Sequence, residues 1–396
     1  MAEGAIIARV LASPLEVDAS AWNALLARQS HATPFMRHEY LAALHESGSA
    51  NARTGWTPRF MTLWQGDVLV AACPLYLKSH SYGEYVFDWA WASAYEQHGV
   101  PYYPKAVVAV PFTPVPGTRL LARDEATRQL LVQALRQWCE DEGLSSLHVL
   151  FASDDDVLTS ARQGLMPRHT VQFHWKNVAY PDFDTFLASL TQEKRKKIRQ
   201  ERRRVAEAGV SFRWARGADI TASDWDFFYR CYERTYLEHG NPPYLTRAFF
   251  QQMADRMPEH WLLFIAEREG RSIASSLIAV DAAPSGASGT NRSKNPPRTA
   301  YGRYWGALER VDCLHFEACY YQPLAWCIAQ GVQHFEGGAQ GEHKMARALL
   351  PVQATSMHWL AHPAFADAVE RFLAREGAGV EDYLDHLQAR SPFRTA

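Results

Sequence analysis

Residues 333–351 read QHFEGGAQGEHKMARALLP, and the fold turns on them. A β-prone run at 333–336 passes into Gly337, Gly338 and Gly341, and a helical pattern opens at Glu342-His343-Lys344. Strand, glycine turn and helix in that order are the grammar of an α/β domain. Glycines at such a junction let a ligand approach the backbone closely, while a helix start and Lys344 favour an anionic group. A turn whose glycines only supply positive φ is the plainer account. The polar residues gathered here (Glu336, Gln340, Glu342, His343 and Lys344) weigh against it, because strand ends built for packing seldom carry so many.

The same grammar extends outward in both directions. Upstream lie a helix at 183–209, a strand at 210–215, helices at 222–237 and 246–256, and a hairpin of 260–267 and 272–280 turning through Glu269-Gly270. A Pro/Gly/Ser/Asn-rich stretch at 282–298 reads as a disordered hairpin tip between two strands. A strand at 299–308 and a helix at 317–331 precede the glycine turn, and a strand at 352–360 and a helix at 363–389 follow it. The first half repeats the order: helices near 18–28 and 36–46, strands 59–65 and 68–77 joined by Gln65-Gly66-Asp67, then helix 123–141, strand 145–151, helix 154–163 and strand 170–178. Only 81–117, dense in Tyr, Trp, Pro and Gly, lacks a clean period and reads as ordered loop around a short strand at 106–110. At 396 residues the chain exceeds what one core usually supports. Two α/β (α+β) domains with mixed sheets are expected, 1–180 and 181–396, with a ligand cleft where they meet.

Composition narrows the function. The chain has 41 Lys+Arg against 43 Asp+Glu, so no global field recruits nucleic acid or anionic lipid, and any anion site must be local. Six cysteines are scattered without metal-ligand spacing, which predicts reduced thiols and no metal site. The first residues lack a basic segment followed by an apolar one, and no run of 18 apolar residues occurs, so a cytoplasmic location is expected. No P-loop, G-x-S-x-G, H-E-x-x-H or G-x-G-x-x-G is present, which disfavours common hydrolases, metalloproteases and nucleotide-dependent enzymes.

Three further segments could carry chemistry. In the loop at 95–117, His98 could move a proton, and Tyr102, Tyr103 and Lys105 could hold a ring or peptide; an aromatic satellite core explains them equally well. On a helix from Glu317, the residues Glu317, Tyr320 and Tyr321 fall on one face, so a carboxylate beside two phenols could serve as a general base. Glu placed for the helix dipole and Tyr for packing is the alternative. Between 194 and 204 the chain places eight basic residues, among them Arg195 and Arg199, which suit tRNA, a diphosphate or a phospholipid surface unless they form only a solvated helix face.

These residues resemble the Fem-type aminoacyltransferases of peptidoglycan synthesis: the basic helix running Lys194 to Val210, the strand Y-x-x-Y-W-G-A from Tyr301 to Ala307, the helix ending Trp326 to Gly331, and F-E-G-G before a helix-borne Lys. The blocks YYPK, PFTPVPG and FEGGAQGEHK are similar to a FemAB-like branch of N-acyltransferases with the acetyltransferase (GNAT) fold. The resemblance implies two tandem GNAT-like domains, an acyl-CoA or aminoacyl-tRNA co-substrate and transfer to an amine, with a cell-wall precursor as acceptor. Lys344 matches the Lys after the family's glycine turn, whereas Gly-Ala-Gln-Gly-Glu-His at 338–343 departs from it and no R/Q-x-x-G-x-G/A pyrophosphate loop is present. The resulting expectation is an amine deprotonated by Glu317 or His98, with Lys344 and His343 stabilising the oxyanion or holding the donor's anionic part. A non-catalytic module that binds peptidoglycan precursors or another polyanion is the alternative.

Overall fold

A computed structural model describes residues 4–282, 298–339 and 341–394. The chain forms two compact α/β units, Met1–Thr170 with Gln353–Tyr383, and Val171–Val352 with Leu384–Ala396. A division at 180/181 was expected; the chain crosses at 170/171 and returns to the first unit for Gln353–Tyr383. That return has an apolar cause. Leu360, Val369 and Leu373, on the last strand and helix, are buried with Trp91, Tyr95 and Tyr102.

In the first unit, four strands pair in the order Ile6–Leu11, Phe60–Gln65, Val68–Cys73 and Leu121–Ala122. A second ladder runs Leu350–Leu360, Ser146–Ala152, Lys105–Val108, Leu75–Lys78 and Trp56–Pro58. The expected strand 68–77 is therefore two strands. Pro74 separates them, and with no N–H to give a ladder it marks the point where the chain passes from one sheet to the other. Helix Glu125–Asp141 starts where the Asp124 carboxylate accepts from the Thr127 N–H at 2.8 Å, and it lays Leu131, Val132, Leu135 and Cys139 on the core. The region expected to be loop contains helix Trp89–Gln97, whose Trp91 and Tyr95, four residues apart, are buried.

In the second unit the sheet order is Val210–Arg216, Trp261–Arg268, Arg271–Val280, Thr299–Ala307, His334–Ala339 and Met166–Lys176. Helix Ala222–Glu238 opens with a reciprocal cap between Thr221 and Asp224 and lies directly on this sheet. A Cβ at Gly306 would stand 1.9 Å from the Cys231 carbonyl oxygen, so that strand position must be glycine. The expected helix 183–209 is two helices, Phe183–Ser189 and Gln192–Glu207. Between them the Thr191 N–H donates to the Pro392 carbonyl at 2.9 Å, a tertiary bond that takes the backbone out of the helical ladder. The expected tip at 282–298 lies, for 283–297, outside the described residues. Among the described residues no helix is long and apolar enough to cross a membrane.

Candidate active site

Strands Thr299–Ala307 and His334–Ala339 run parallel, and among the described residues they pair only at Thr299/His334, Ala300/Phe335 and Tyr301/Glu336. Beyond Tyr301 they part. On its other side Thr299–Ala307 pairs with Arg271–Val280 through a register shift opposite Leu277/Ile278, which bends the strand at Arg303. A cavity of about 200 Å³ occupies the opening, lined by Ser276, Gly302, Tyr304, His315, Tyr320 and Lys344, among others. Two parallel strands that part leave backbone groups facing each other across a gap, which suits an extended amide or acyl chain.

Crowding and backbone conformation require glycine on this side of the wedge. A Cβ at Gly337 would meet Leu349 Cδ2 at 2.3 Å and the Phe173 carbonyl oxygen at 2.9 Å. Gly338 has φ of 72°, a left-handed conformation glycine adopts without penalty. Both belong to the strand, which runs on to Ala339 instead of ending at Glu336 as expected. Gln340 lies outside the described residues. The expected helix after the turn is one short 3₁₀ segment, Glu342–Arg347. Lys344 folds back from it, and its Nζ donates to the carbonyls of Gly337 at 2.6 Å, Gly338 at 3.3 Å and Ala339 at 2.8 Å. Those three bonds fill the ammonium's donors, so Lys344 clamps the turn into shape; burial pushes its pKa down to about 8.

Around the clamp, Tyr320 OH lies 3.3 Å from His343 Nε2. Burial lowers the pKa of His343, with Arg347 and Lys344 adding to the effect. His315 is pushed down to about 4 by burial, then by His343, Arg347 and Lys344 nearby. Burial pushes the Cys319 thiol up to about 12, so it remains protonated at neutral pH. The wedge is thus lined by uncharged Cys319, His315 and tyrosines together with the cations Arg303 and Lys344. Glu336 is buried on the strand and paired in register with His174; Glu342 lies at the surface, 3.2 Å from Arg390.

Glu317 opens a π-helical turn, Glu317–Tyr321, and the face expected to hold Glu317, Tyr320 and Tyr321 is divided. In the wider turn the i and i+4 side chains share a direction while i+3 is rotated away. Glu317 accepts from Arg202 Nε at 3.2 Å on each oxygen and from Gln322 Nε2 at 2.7 Å. Tyr321 donates to Glu201, which also takes Arg347 Nη2 at 2.7 and 2.8 Å. Both therefore face helix Gln192–Glu207, and only Tyr320 faces the wedge. That helix buries Ile198, Glu201 and Val205 and turns Lys196, Lys197, Arg199, Arg203 and Arg204 to solvent, while Arg195 is half-buried.

The remaining candidates lie in the first unit, each with a local partner. His98 is exposed just past helix Trp89–Gln97, with Nδ1 2.8 Å from the Ala94 carbonyl. Lys105 is fully buried, donating to Ser81 and Glu84 at 2.8 Å each and to Asp88. Tyr102 donates to Asp88 at 2.6 Å, and Tyr103 OH lies 2.8 Å from Ser81 Oγ. Sequence reasoning missed Gly302, Tyr304, Trp305, His315 and Cys319 as wedge residues. The Tyr301–Ala307 run was visible as a motif, but nothing in it marks where a strand leaves its neighbour.

Fold and wedge together give two α/β units, the second with a ligand-sized cavity where two parallel strands part. The chain belongs to the FemAB-like family, described as peptidoglycan biosynthesis/recognition, whose family model matches residues 13–395. No curated protein matches it. Among solved structures it shares its fold with FemX, at 9% identity over 89% of this chain and 98% of that one, with a TM-score of 0.54. It also shares its fold with L-PGS from Bacillus licheniformis, at 11% identity over 90% and 97%, with a TM-score of 0.52.

Proposed function

We propose that this protein transfers an acyl or aminoacyl group from an acyl-CoA thioester or an aminoacyl-tRNA ester to an amine on a peptidoglycan precursor. The wedge between Thr299–Ala307 and His334–Ala339 is the observation that carries the reading. The donor's acyl group lies in it, against backbone groups that the parting strands leave available. The adjoining cavity of about 410 Å³, lined in part by Arg234, Glu238, Glu309 and Arg310, takes the rest of the donor; it meets the wedge at Trp305 and His315. In the reaction the amine nitrogen forms a C–N bond to the acyl carbon, the donor's C–S or C–O bond breaks, the nitrogen loses one proton and the departing thiolate or alkoxide gains one. Backbone N–H groups near Gly337 stabilise the oxyanion, and Lys344 acts on them by holding the turn.

Thermal-shift measurements against acetyl-CoA, longer acyl-CoAs, charged tRNA and cell-wall precursors test this. A donor that raises the midpoint of the wild type but not of Ser276→Leu, which fills the wedge while leaving Lys344 in place, supports the site. A precursor that raises the midpoint while no donor does so favours the non-catalytic binding module instead.

A further inference from the structure

In the first unit a segment at 79–88 joins strand Leu75–Lys78 to helix Trp89–Gln97. From Glu84 its side chains alternate: Glu84, Val86 and Asp88 are buried, while Tyr85, Phe87 and Trp89 face solvent. Tyr82 is exposed as well, at 61%, and Phe87 reaches 56%. We propose that this row of four aromatic side chains is a binding surface for an uncharged saccharide, whose pyranose units stack on the rings through their C–H faces. The surface belongs to the first unit and takes no part in the transfer step.

Three buried side chains hold the row in one shape from beneath. Lys105 Nζ donates to Ser81 and Glu84 at 2.8 Å each and to Asp88, which ties the inward set down. Lys78 Nζ donates to the Tyr82 carbonyl at 3.1 Å, and Arg168 Nη1 to the Phe87 carbonyl at 2.8 Å. A buried cluster of charges adds little net stability, because desolvation offsets the attraction, but it fixes where each member points. Lys105, read from the sequence as a ligand contact, therefore acts from behind the surface. Tyr85 has φ of 61°, a left-handed conformation unfavourable for so bulky a residue. Burial does not explain that strain, because the ring is among the exposed ones.

Charge and shape select the ligand. The exposed residues between 79 and 90 are Ser79, Tyr82, Tyr85, Phe87, Trp89 and Ala90, and none of them is charged. Burial, with Lys78 adding to it, lowers the pKa of the half-buried His80, so that ring is neutral too. Nucleic acid or an anionic headgroup needs exposed Lys or Arg to meet its phosphates, and the segment offers neither. A pyranose is uncharged, with slightly positive C–H groups on its face and hydroxyls around its rim. Ring faces attract the former, while the Tyr hydroxyls and the Trp89 indole N–H can bond the latter. Tyr82 stands 5.0 Å from Trp89 and 5.4 Å from His80 between ring centroids, so these rings brace one another as a continuous surface.

Calorimetric titration of the full chain with tetra-N-acetylchitotetraose tests this without any donor. β-Linked mannotetraose, whose axial hydroxyl interrupts the C–H face, is the comparison, and phosphatidylcholine vesicles are the third probe. The chitotetraose is expected to bind, and the mannotetraose to bind more weakly. Trp89→Ser and Phe87→Ser, both at exposed rings, should each weaken the chitotetraose about tenfold. Trp214→Ser, at an exposed ring of the second unit, should leave it unchanged. No binding of the chitotetraose, equal affinity for the two saccharides, or affinity undiminished in both first-unit variants overturns the proposal. Vesicle binding that those variants abolish, with no saccharide bound, would make the surface a membrane contact and overturn it too. Loss of saccharide binding in Ser276→Leu would put the ligand in the wedge, with the same consequence.

Discussion

Each unit contains a parallel strand contact followed by a parting of the chains, and the two gaps are filled differently. In the first unit Gly117 bridges Ala152 in parallel, and helix Asp154–Arg162 begins at once. Its Asp156, fully buried, accepts the Arg119 N–H at 2.6 Å and the Leu120 N–H at 3.4 Å. The Arg119 side chain turns back to the carbonyls of Leu150, Gly117 and Val115. Backbone groups that a ligand would use are thus taken by the protein's own side chains. In the second unit the chain after the strand turns through glycines, and Lys344 draws three carbonyls aside instead of entering the gap. The same topology gives a sealed joint in one unit and a lined cavity in the other. The contrast supports the proposed donor site in the second unit.

Breaking the clamp has the largest expected effect. Lys344→Ala leaves three turn carbonyls without their donor and lets Gly337–Ala339 move. Turnover is expected to fall at least about a hundredfold, since small misplacements at a reacting centre cost that much. Stability should drop by about 2 kcal/mol, or ~4–8 °C in the melting midpoint. Retained turnover in a folded variant would show that the turn does not depend on Lys344.

The sealed joint makes the next prediction, one of pH. Burial pushes the Asp156 carboxyl up from 3.8 to about 6, more than its N–H partners pull it down. The folded protein therefore holds this proton more tightly than the unfolded chain, and stability falls as pH rises from about 3.8 to about 6. Asp156→Asn removes that dependence, by roughly 2–3 kcal/mol across the window. Denaturant unfolding of both proteins at pH 4 and pH 6.5 reads the difference. Equal slopes would mean the joint is more open to water than its burial indicates.

How far the sequence alone reaches follows from the same comparison. Elements with a strong period, such as Glu125–Asp141 and Ala222–Glu238, were legible, as were the hairpins at Gly66 and Gly270. Helix Trp89–Gln97 was missed because its exposed face carries Trp89 and its buried face Trp91 and Tyr95, so there is little polar contrast to show a period. The break at Leu190–Thr191 depends on Pro392, two hundred residues away. At the site, the glycine turn and Lys344 stood out as a cluster, but Lys344's carbonyl partners could not be read from spacing. Glu317 looked like a free carboxylate because Arg202 and Gln322 approach it only through the π-helical turn.

Two smaller effects sharpen the contrast. Glu317→Gln keeps the side chain's shape and removes one half of its ion pair with Arg202. As a brace between helices, Glu317 should then lose about 1–3 kcal/mol of stability with turnover reduced only a few-fold. His98→Ala in the first unit should leave turnover within twofold. A hundredfold loss in either variant at unchanged stability would restore a proton-transfer role to that residue. The smallest effect falls on the donor's identity. Arg199 and its solvent-facing neighbours stand on the helix whose inner face, through Glu201, holds Arg347 beside the clamp. If the donor is a charged tRNA, Arg195→Ala with Arg199→Ala should weaken it several-fold and reduce the slope of log affinity against log salt by about 1–2, since each lost phosphate contact contributes a little under one. If the donor is acyl-CoA, the same pair of substitutions should leave both its affinity and its salt dependence nearly unchanged, because the cavity proposed to hold it has neither Arg195 nor Arg199 in its lining.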